Sequence, residues 1–458
     1  MTDDKSLAKI RQVLGRYWGF QDFLPQQKEA MLCAEESRDS IVVLPTGGGK
    51  SLCFQAPAVA LAGMAIVVSP LISLMKDQVD SLRDCGVEAA RLDSSQQPED
   101  QQRVLSAIRN GGLKILYLAP ERIVSEPFAN LIRDVRISLI AVDEAHCVSM
   151  WGHDFRPEYR QLDILKKMFP NTGIHAYTAT ATEQVRNDIG RQLHLDNPES
   201  IVGSFDRPNL HFKIQRLTRR FEQIAEVLSR HRGESGIVYC IRRKDVDQMC
   251  SEMTARGFSV LPYHAGMENS ERKNNQEAFA REEIDTIVAT VAFGMGIDKS
   301  NVRYVVHAGM PKSLEHYQQE SGRAGRDSLE AECCLFYSGR DYATWEFLLG
   351  DMESEPRKIA MRKLGHIWNY CTGVTCRHQA IVNYFGQQLQ KENCAACDVC
   401  LGELDKMEDS LTVAQKILSC VIRLDQRFGA EYTTLVLVGS QKARIKKLGH
   451  DRLKTYGI

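Results

Sequence analysis

Four groups of residues in this chain have the types and spacing to do chemistry. The first is Thr46-Gly47-Gly48-Gly49-Lys50-Ser51. Glycines let a backbone close around phosphate oxygens, Lys50 can neutralise them, and the Ser51 hydroxyl can hold Mg2+. A helix starting here would point its amino terminus at the anion. The second is the carboxylate pair Asp143-Glu144, with Asp143 suited to a Mg2+ contact and Glu144 to orienting an attacking water. It runs at once into Trp151, His153, Phe155, Arg156 and Tyr159, a mixture of rings and cations on which single-stranded nucleic acid stacks. The third is the pair Arg323 and Arg326 in a glycine-bearing turn, able to reach across a cleft to a γ-phosphate. The fourth is Cys376 with Cys394, Cys397 and Cys400. Cys-x2-Cys-x2-Cys with a fourth thiol upstream supplies four tetrahedral ligands, for which zinc is the default ion and an iron–sulfur cluster the competitor.

The surrounding sequence must place these groups. Ser40 to Leu44 is a short β-rich run before the glycines. The strict phosphate-loop pattern has Gly where Leu44 stands, so the match is to the core GGGKS. The apolar run Ile137 to Val142 reads as a buried parallel strand, with the carboxylates at its carboxyl end, where α/β sheets place chemistry. Ala65 to Pro70, Lys114 to Arg122 and the strand ending in Thr178-Ala179-Thr180-Ala181 alternate with helical segments, which implies a parallel sheet. After a hinge at Phe205-Asp206-Arg207-Pro208, a second series begins, with strands at Gly236–Cys240, Val260–Gly266, Asp285–Thr290 and Val302–His307. Val291 to Asp298 reads as a glycine-bearing switch loop, and no second phosphate loop follows.

Composition sets limits. The 458 residues are 43% hydrophobic, carry a net charge of −1 and have a pI near 6.9. A chain coated in basic charge is excluded, so nucleic-acid binding must come from local grooves. There is no 18-residue apolar run, which predicts no membrane-spanning helix. Met1 to Lys5 is polar and no signal-peptide core follows. Of 14 cysteines, the ten outside the late cluster are scattered, the usage of reduced thiols in a cytosolic protein. Past a linker at Gly402–Ser410, Leu411 to Ile458 holds nine Lys or Arg against three Asp or Glu, a net of +6. Gln441 to Lys447 reads as a recognition helix against duplex phosphates.

In order along the chain, GGGKS, SPLISLMKDQ, DEAH, WGHDFRPEY, TATA, VATVAFGMGIDK and QQESGRAGRD resemble the RecQ family of superfamily 2 DNA helicases. The DEAH box is shared with many helicases; the WGHDFRPEY loop directly behind it is far more specific. The resemblance implies an α/β fold. Two RecA-like parallel-sheet lobes at 1–205 and 206–345 precede a helical zinc-binding platform at 346–402 and a partial winged helix at 411–458. It implies ATP between the lobes, with Lys50 and Ser51 on phosphates and Mg2+, Asp143 on the metal, Glu144 on water, and Arg323 and Arg326 approaching from lobe 2, Arg326 as the finger. Gly19 to Gln27 resembles the family's adenine-reading motif, Phe20 stacking and Gln27 reading the base, but Leu24 stands where that motif usually has Arg. Trp151, His153, Phe155 and Arg156 become sensors of single-stranded DNA, and the four late cysteines a structural zinc site.

The same resemblance implies a 3′→5′ DNA helicase of recombination and repair that acts on single-stranded and forked DNA. Single-strand-binding or recombination proteins are its expected partners, and it would be cytoplasmic and nucleoid-associated in bacteria or nuclear in eukaryotes. Ile458 falls before any wing hairpin or HRDC domain, so a DNA-stimulated translocase that unwinds poorly is the alternative. An RNA helicase is weaker, and intact GGGKS, DEAH and GRAGR argue against a zinc-containing DNA-binding scaffold without catalysis.

Overall fold

Short apolar runs without polar alternation fold as strands buried on both faces, and such runs make the centre of a first sheet of seven strands. They are β1 (Ser40–Val43), β2 (Met64–Val68), β3 (Ala89–Leu92), β4 (Ile115–Leu118), β5 (Ile137–Val142), β6 (Ile174–Thr178) and β7 (Glu199–Val202). All pairings are parallel, in the order β3-β4-β2-β5-β6-β1-β7. On β2, Met64, Ile66 and Val68 enter one core cluster while Ala65 and Val67 enter another, the period of two expected of a strand covered on both sides. Because β5, β6 and β1 are neighbours, their carboxyl ends set Asp143, Thr178 and the glycine loop side by side.

The computed structural model describes residues 7–294, 299–404 and 409–458. The reading of Met1–Lys5, the last part of the switch loop at Met295–Asp298 and the middle of the linker at Asp405–Glu408 lie outside the described residues. Two units result, residues 1–402 and 403–458. In the first, a second sheet follows, made of β8 (Leu210–Arg216), β9 (Ser235–Tyr239), β10 (Val260–Tyr263), β11 (Thr286–Ala289), β12 (Val302–His307) and β13 (Ala331–Tyr337). Its order is β10-β11-β9-β12-β13-β8, again parallel throughout. These are the two expected RecA-like lobes. The sequence reading has no counterpart for β3, β7, β8 and β13.

An edge strand leaves unpaired backbone groups, and the cysteine-rich platform covers β8. Phe212 N–H donates to Ala396 O at 3.0 Å, Asp398 N–H to Phe212 O at 3.0 Å, and Ile214 N–H to Asp398 Oδ2 at 2.9 Å. Arg377, buried, grips the same aspartate at 2.8 and 3.1 Å. The platform's helices are Ser354–Thr372 and Arg377–Tyr384, and one core cluster runs through both lobes into it.

The second unit packs helices Ser410–Arg423, Ala430–Leu437 and Ala443–Lys447 around Cys420, Leu424, Val436 and Ile445. The recognition helix expected over Gln441–Lys447 is shorter: Gln441 and Lys442 precede it, and Arg444, Lys446 and Lys447 stay exposed around buried Ile445. No described helix is long and apolar enough to cross a membrane.

Candidate nucleotide and nucleic-acid site

The glycine loop is locked at both ends. Leu44 N–H donates to Thr178 O at 3.1 Å, and Gly49, at φ +72°, starts helix Lys50–Ala60. A side chain at Gly49 would be strained in that conformation and would collide with Gln27 Nε2. Gln27 is buried against the loop, its Oε1 accepting the Leu24 N–H at 3.0 Å. Phe20 and Leu24 nearby stand 55% and 56% exposed, so the Phe20 ring is open to a partner. Lys50 Nζ donates to Leu44 O at 3.1 Å. Burial pushes its ammonium below the ordinary lysine range; Glu144 and Asp143 pull it back and Arg326 pushes it further down.

The two carboxylates are pushed in opposite directions. Burial, helped by the Glu144 charge, pushes the Asp143 carboxyl up to about 7 while Lys50 opposes. Burial also works to raise Glu144, but His146, Lys50 and Arg323 outweigh it and hold that group below the usual range. The pair is thus pushed apart, Asp143 upward by burial and the Glu144 charge and Glu144 downward by its cationic and hydrogen-bonding neighbours. Glu144 sits at φ +46°, a left-handed conformation that costs a residue with a side chain about 1–3 kcal/mol. His146 Nδ1 lies 3.3 Å from Glu144 Oε2 and 2.9 Å from Thr178 Oγ1, so the carboxylate turn is tied to the strand that also anchors the glycine loop.

Lobe 2 presents its arginine turn directly to that loop. A Cβ at Gly47 would lie 3.4 Å from Arg326 Cγ, and one at Gly322 would lie 3.5 Å from Thr46 Cβ. Arg323, buried, packs against Gly294 of its own lobe. The sequence reading missed the residue that binds these parts together. Arg207, read only as part of a hinge, donates from Nη1 to Thr46 O at 3.2 Å and Gly322 O at 3.3 Å. Its Nη2 reaches Ala324 O at 3.1 Å and Gly325 O at 2.8 Å. Its only signal in sequence was an arginine at the hinge.

The aromatic loop is pressed onto the carboxylate turn. A Cβ at Gly152 would collide with His146 O. Tyr159 does not belong to the stacking surface: it is fully buried and its hydroxyl donates to Asp143 O at 3.1 Å. Trp151, His153, Phe155 and Arg156 are half-buried. Arg362 lies 5.1 Å over Trp151 and Arg160 lies 5.2 Å over Phe155; Arg156 pairs with Asp154 and donates to Pro70 O at 2.9 Å. His153 stacks on His146 at 3.8 Å and meets the edge of His316, from lobe 2, at 4.8 Å. Burial pushes His153 and His316 well below the ordinary histidine range, so a line of rings, two of them held neutral, runs from beside Glu144 to lobe 2.

Lys363, which the sequence reading passed over, is the other junction. Its Nζ lies 2.7 Å from Trp151 O and 2.7 Å from Glu315 Oε1, both ion-pair side chains being nearly buried. Tyr384 adds a hydroxyl to Glu315 at 2.9 Å. Aromatic loop, lobe 2 and platform meet at this one ammonium. Lys363→Met strands a buried carboxylate, and stability should fall by about 3–5 kcal/mol; an unchanged denaturant midpoint would refute that account.

The four late cysteines converge, their sulfurs all within 4.8 Å of one another. Backbone N–H groups of Arg377 and Cys400 point at Cys397 Sγ at 3.5 Å each, and that of Ala396 at Cys394 Sγ at 3.4 Å. Four cysteine sulfurs around one point fit a zinc ion with Zn–S near ~2.3 Å. Cys371, close in sequence, is buried apart from them.

Comparison with known proteins agrees with this geometry. The DEAD/DEAH box helicase model matches residues 24–188, the helicase conserved C-terminal domain 219–328, the RecQ zinc-binding model 339–401 and the RQC domain 405–458. The ATP-dependent DNA helicase RecQ of Pasteurella multocida is 46% identical over 97% of this chain and 70% of its own length. That of Bacillus subtilis is 40% identical over 99% and 77%. Among solved structures, the helicase MrfA bound to DNA and AMPPNP aligns with a TM-score of 0.61 over 83% of this chain and 58% of that one, at 17% identity, a likeness of fold. The chain belongs to the RecQ family of ATP-dependent DNA helicases.

Proposed function

We propose that this chain couples ATP hydrolysis to 3′→5′ movement along single-stranded DNA and to separation of forked duplex, in recombination and repair. The observation that carries the reading is the stretch Asp143–Arg160: its stem ends in the carboxylates Asp143 and Glu144, and its crown of half-buried rings is stacked onto that stem through His153 and His146. A strand that displaces this loop would act on the turn that holds Glu144 through the His153–His146 stack.

In this reading Gly47, Gly48, Gly49 and Lys50 cradle the phosphates, Thr46 backs the loop, and Phe20 and Gln27 receive the base. Ser51 and Asp143 offer a hydroxyl and a carboxylate, a donor set suited to Mg2+, which would supply charge neutralisation on the phosphates. Glu144 orients the water, and Arg323 and Arg326 complete the site from lobe 2. Trp151, His153, Phe155 and Arg156 sense DNA, and the four cysteines hold zinc. We take the domain boundaries as 1–205, 206–345, 346–402 and 411–458. The expected partners are single-strand-binding or recombination proteins. The expected location is the bacterial nucleoid, or the nucleus in a eukaryotic cell.

ATP turnover measured with single-stranded DNA, with RNA and with no polymer tests the coupling; turnover indifferent to DNA would sink it. Trp151→Ala and Phe155→Ala should lower DNA-stimulated turnover by about tenfold, the effect of losing one or two stacked bases at roughly 1–3 kcal/mol each, with basal turnover little changed. Equal loss in both would make these rings structural. Forked duplexes with a 3′ or a 5′ tail then read the polarity. Hydrolysis without strand separation on the 3′-tailed fork would leave translocation alone.

A further inference from the structure

Lobe 2 holds a polar crevice that none of the roles above uses. It has a volume of about 700 Å³ and lies at the carboxyl ends of β8, β9 and β13, walled by Arg216, Arg220, Arg242, Arg340, Asp245 and Asp341. Open parallel sheets take ligands in this position. Three helices, Arg220–Arg230, Arg243–Ala255 and Gly339–Leu348, begin on its wall, so their positive ends face it as well.

Its charges are unequally engaged. Asp341 is turned inward, accepting the N–H of Ser338 at 2.8 Å and of Met310 at 3.2 Å. Asp245 is gripped by Arg242 at 2.8 and 2.9 Å and approached by Arg220 at 3.5 Å. The Arg220 side chain is three-quarters covered on the crevice wall, with Nη1 3.5 Å from Asp245 Oδ1. Arg216 and Arg340 are exposed and form no ion pair among the described residues. Both carboxylates are thus spoken for, while three guanidiniums retain free donors in one concavity. Guanidinium forks match the oxygens of phosphate in geometry and charge.

We propose that this crevice is an anion site for phosphate groups, separate from the ATP cleft, filled either by the backbone of bound DNA or by the polyphosphate of a free nucleotide. Arg216 and Arg340 supply the outer grip and Arg220 the buried contact. The proposal goes beyond the helicase reading and does not depend on the roles given to Lys50 or the aromatic loop.

The double variant Arg216→Ala/Arg340→Ala removes two unpaired surface cations, so basal ATP turnover should be retained and serves as the control for folding. In the first arm, anisotropy of a labelled single-stranded oligonucleotide is followed across a salt series. Loss of two phosphate contacts should make the slope of log K against log salt shallower by about 1.4. In the second arm, inorganic tripolyphosphate is titrated calorimetrically into Lys50→Ala protein with and without the double substitution. Loss of two charge-assisted contacts should weaken binding by at least about tenfold. A change in the first arm alone assigns DNA backbone, a change in the second alone assigns a free polyphosphate, and changes in both assign a site that takes either. No change in either arm, with basal turnover intact, overturns the proposal.

Discussion

Arg326→Ala should lower DNA-stimulated ATP turnover by about 10³–10⁵-fold, the range associated with removal of an arginine that stabilises charge developing in phosphoryl transfer. We propose Arg326 rather than Arg323 for this role because of where each side chain lies. Gly47 of the phosphate loop faces the Arg326 side chain, whereas Arg323 is packed against Gly294 within lobe 2. Arg326 also acts on the Lys50 ammonium, and Arg323 on Glu144. Their losses should therefore differ in kind. Arg326→Ala should depress kcat with the KM for ATP little moved, since its interaction grows in the transition state. Arg323→Ala frees the Glu144 carboxyl to rise toward its ordinary range, so the acid limb of the pH–rate profile should shift upward. Lys50→Ala removes the phosphate-loop cation itself and should abolish turnover while DNA binding stays measurable. Phosphate release under saturating DNA checks all three. Retention of more than about a tenth of wild-type kcat by Arg326→Ala would remove it from the finger role.

Arg207 explains why a turn on lobe 2 can be so exact a neighbour of a loop on lobe 1. One guanidinium takes four carbonyl oxygens, one of them from Thr46 and three from the turn at Gly322–Gly325. Those partners are more than 100 positions away, so no local pattern could reveal them. The glycine loop and the carboxylate pair were legible because their chemistry needs neighbours in sequence, and the apolar runs of β1, β2, β4 and β5 announced the strands beneath them. β13 was hidden by Glu332, a charge at the second position of a buried strand. It is tolerated because Arg230 and His231 reach it at 2.7 and 2.8 Å. β8 alternates buried with partly exposed residues up to Ile214 because only the face carrying Leu210, Phe212 and Ile214 packs into the core. Tyr159 was grouped with the stacking rings by composition; its partner, the Asp143 carbonyl, is a fact of the folded loop. The triple histidine contact is hidden for the same reason. His316 joins His146 and His153 only when the lobes meet.

Removing the platform's metal should cost more than the platform can withstand. Structural zinc on four thiolates contributes about 10–16 kcal/mol to folding near neutral pH, as much as the whole stability of an ordinary domain at about 5–15 kcal/mol. Cys397→Ser is the sharpest single change, because Cys397 Sγ accepts the N–H groups of both Arg377 and Cys400 and lies beside the Phe212 bridge to β8. Metal analysis of the parent should find about one zinc per chain; iron with visible absorbance would instead identify a cluster. On chelation or in Cys397→Ser, hydrogen exchange should rise first at the amides of Phe212 and Ile214, whose acceptors Ala396 O and Asp398 Oδ2 belong to the platform. The sheet of lobe 1 shares no strand with this edge, so β1, β5 and β6 should keep their protection. Lys363 predicts a further consequence: its helix spans Ser354–Thr372, and when that helix loosens, Trp151 loses the ammonium on its carbonyl and Glu315 its counter-charge. DNA stimulation of ATP turnover should then fall before basal turnover does. A metal-free protein with parental exchange at Phe212 and parental DNA stimulation would refute both the zinc assignment and the mechanical link from platform to aromatic loop.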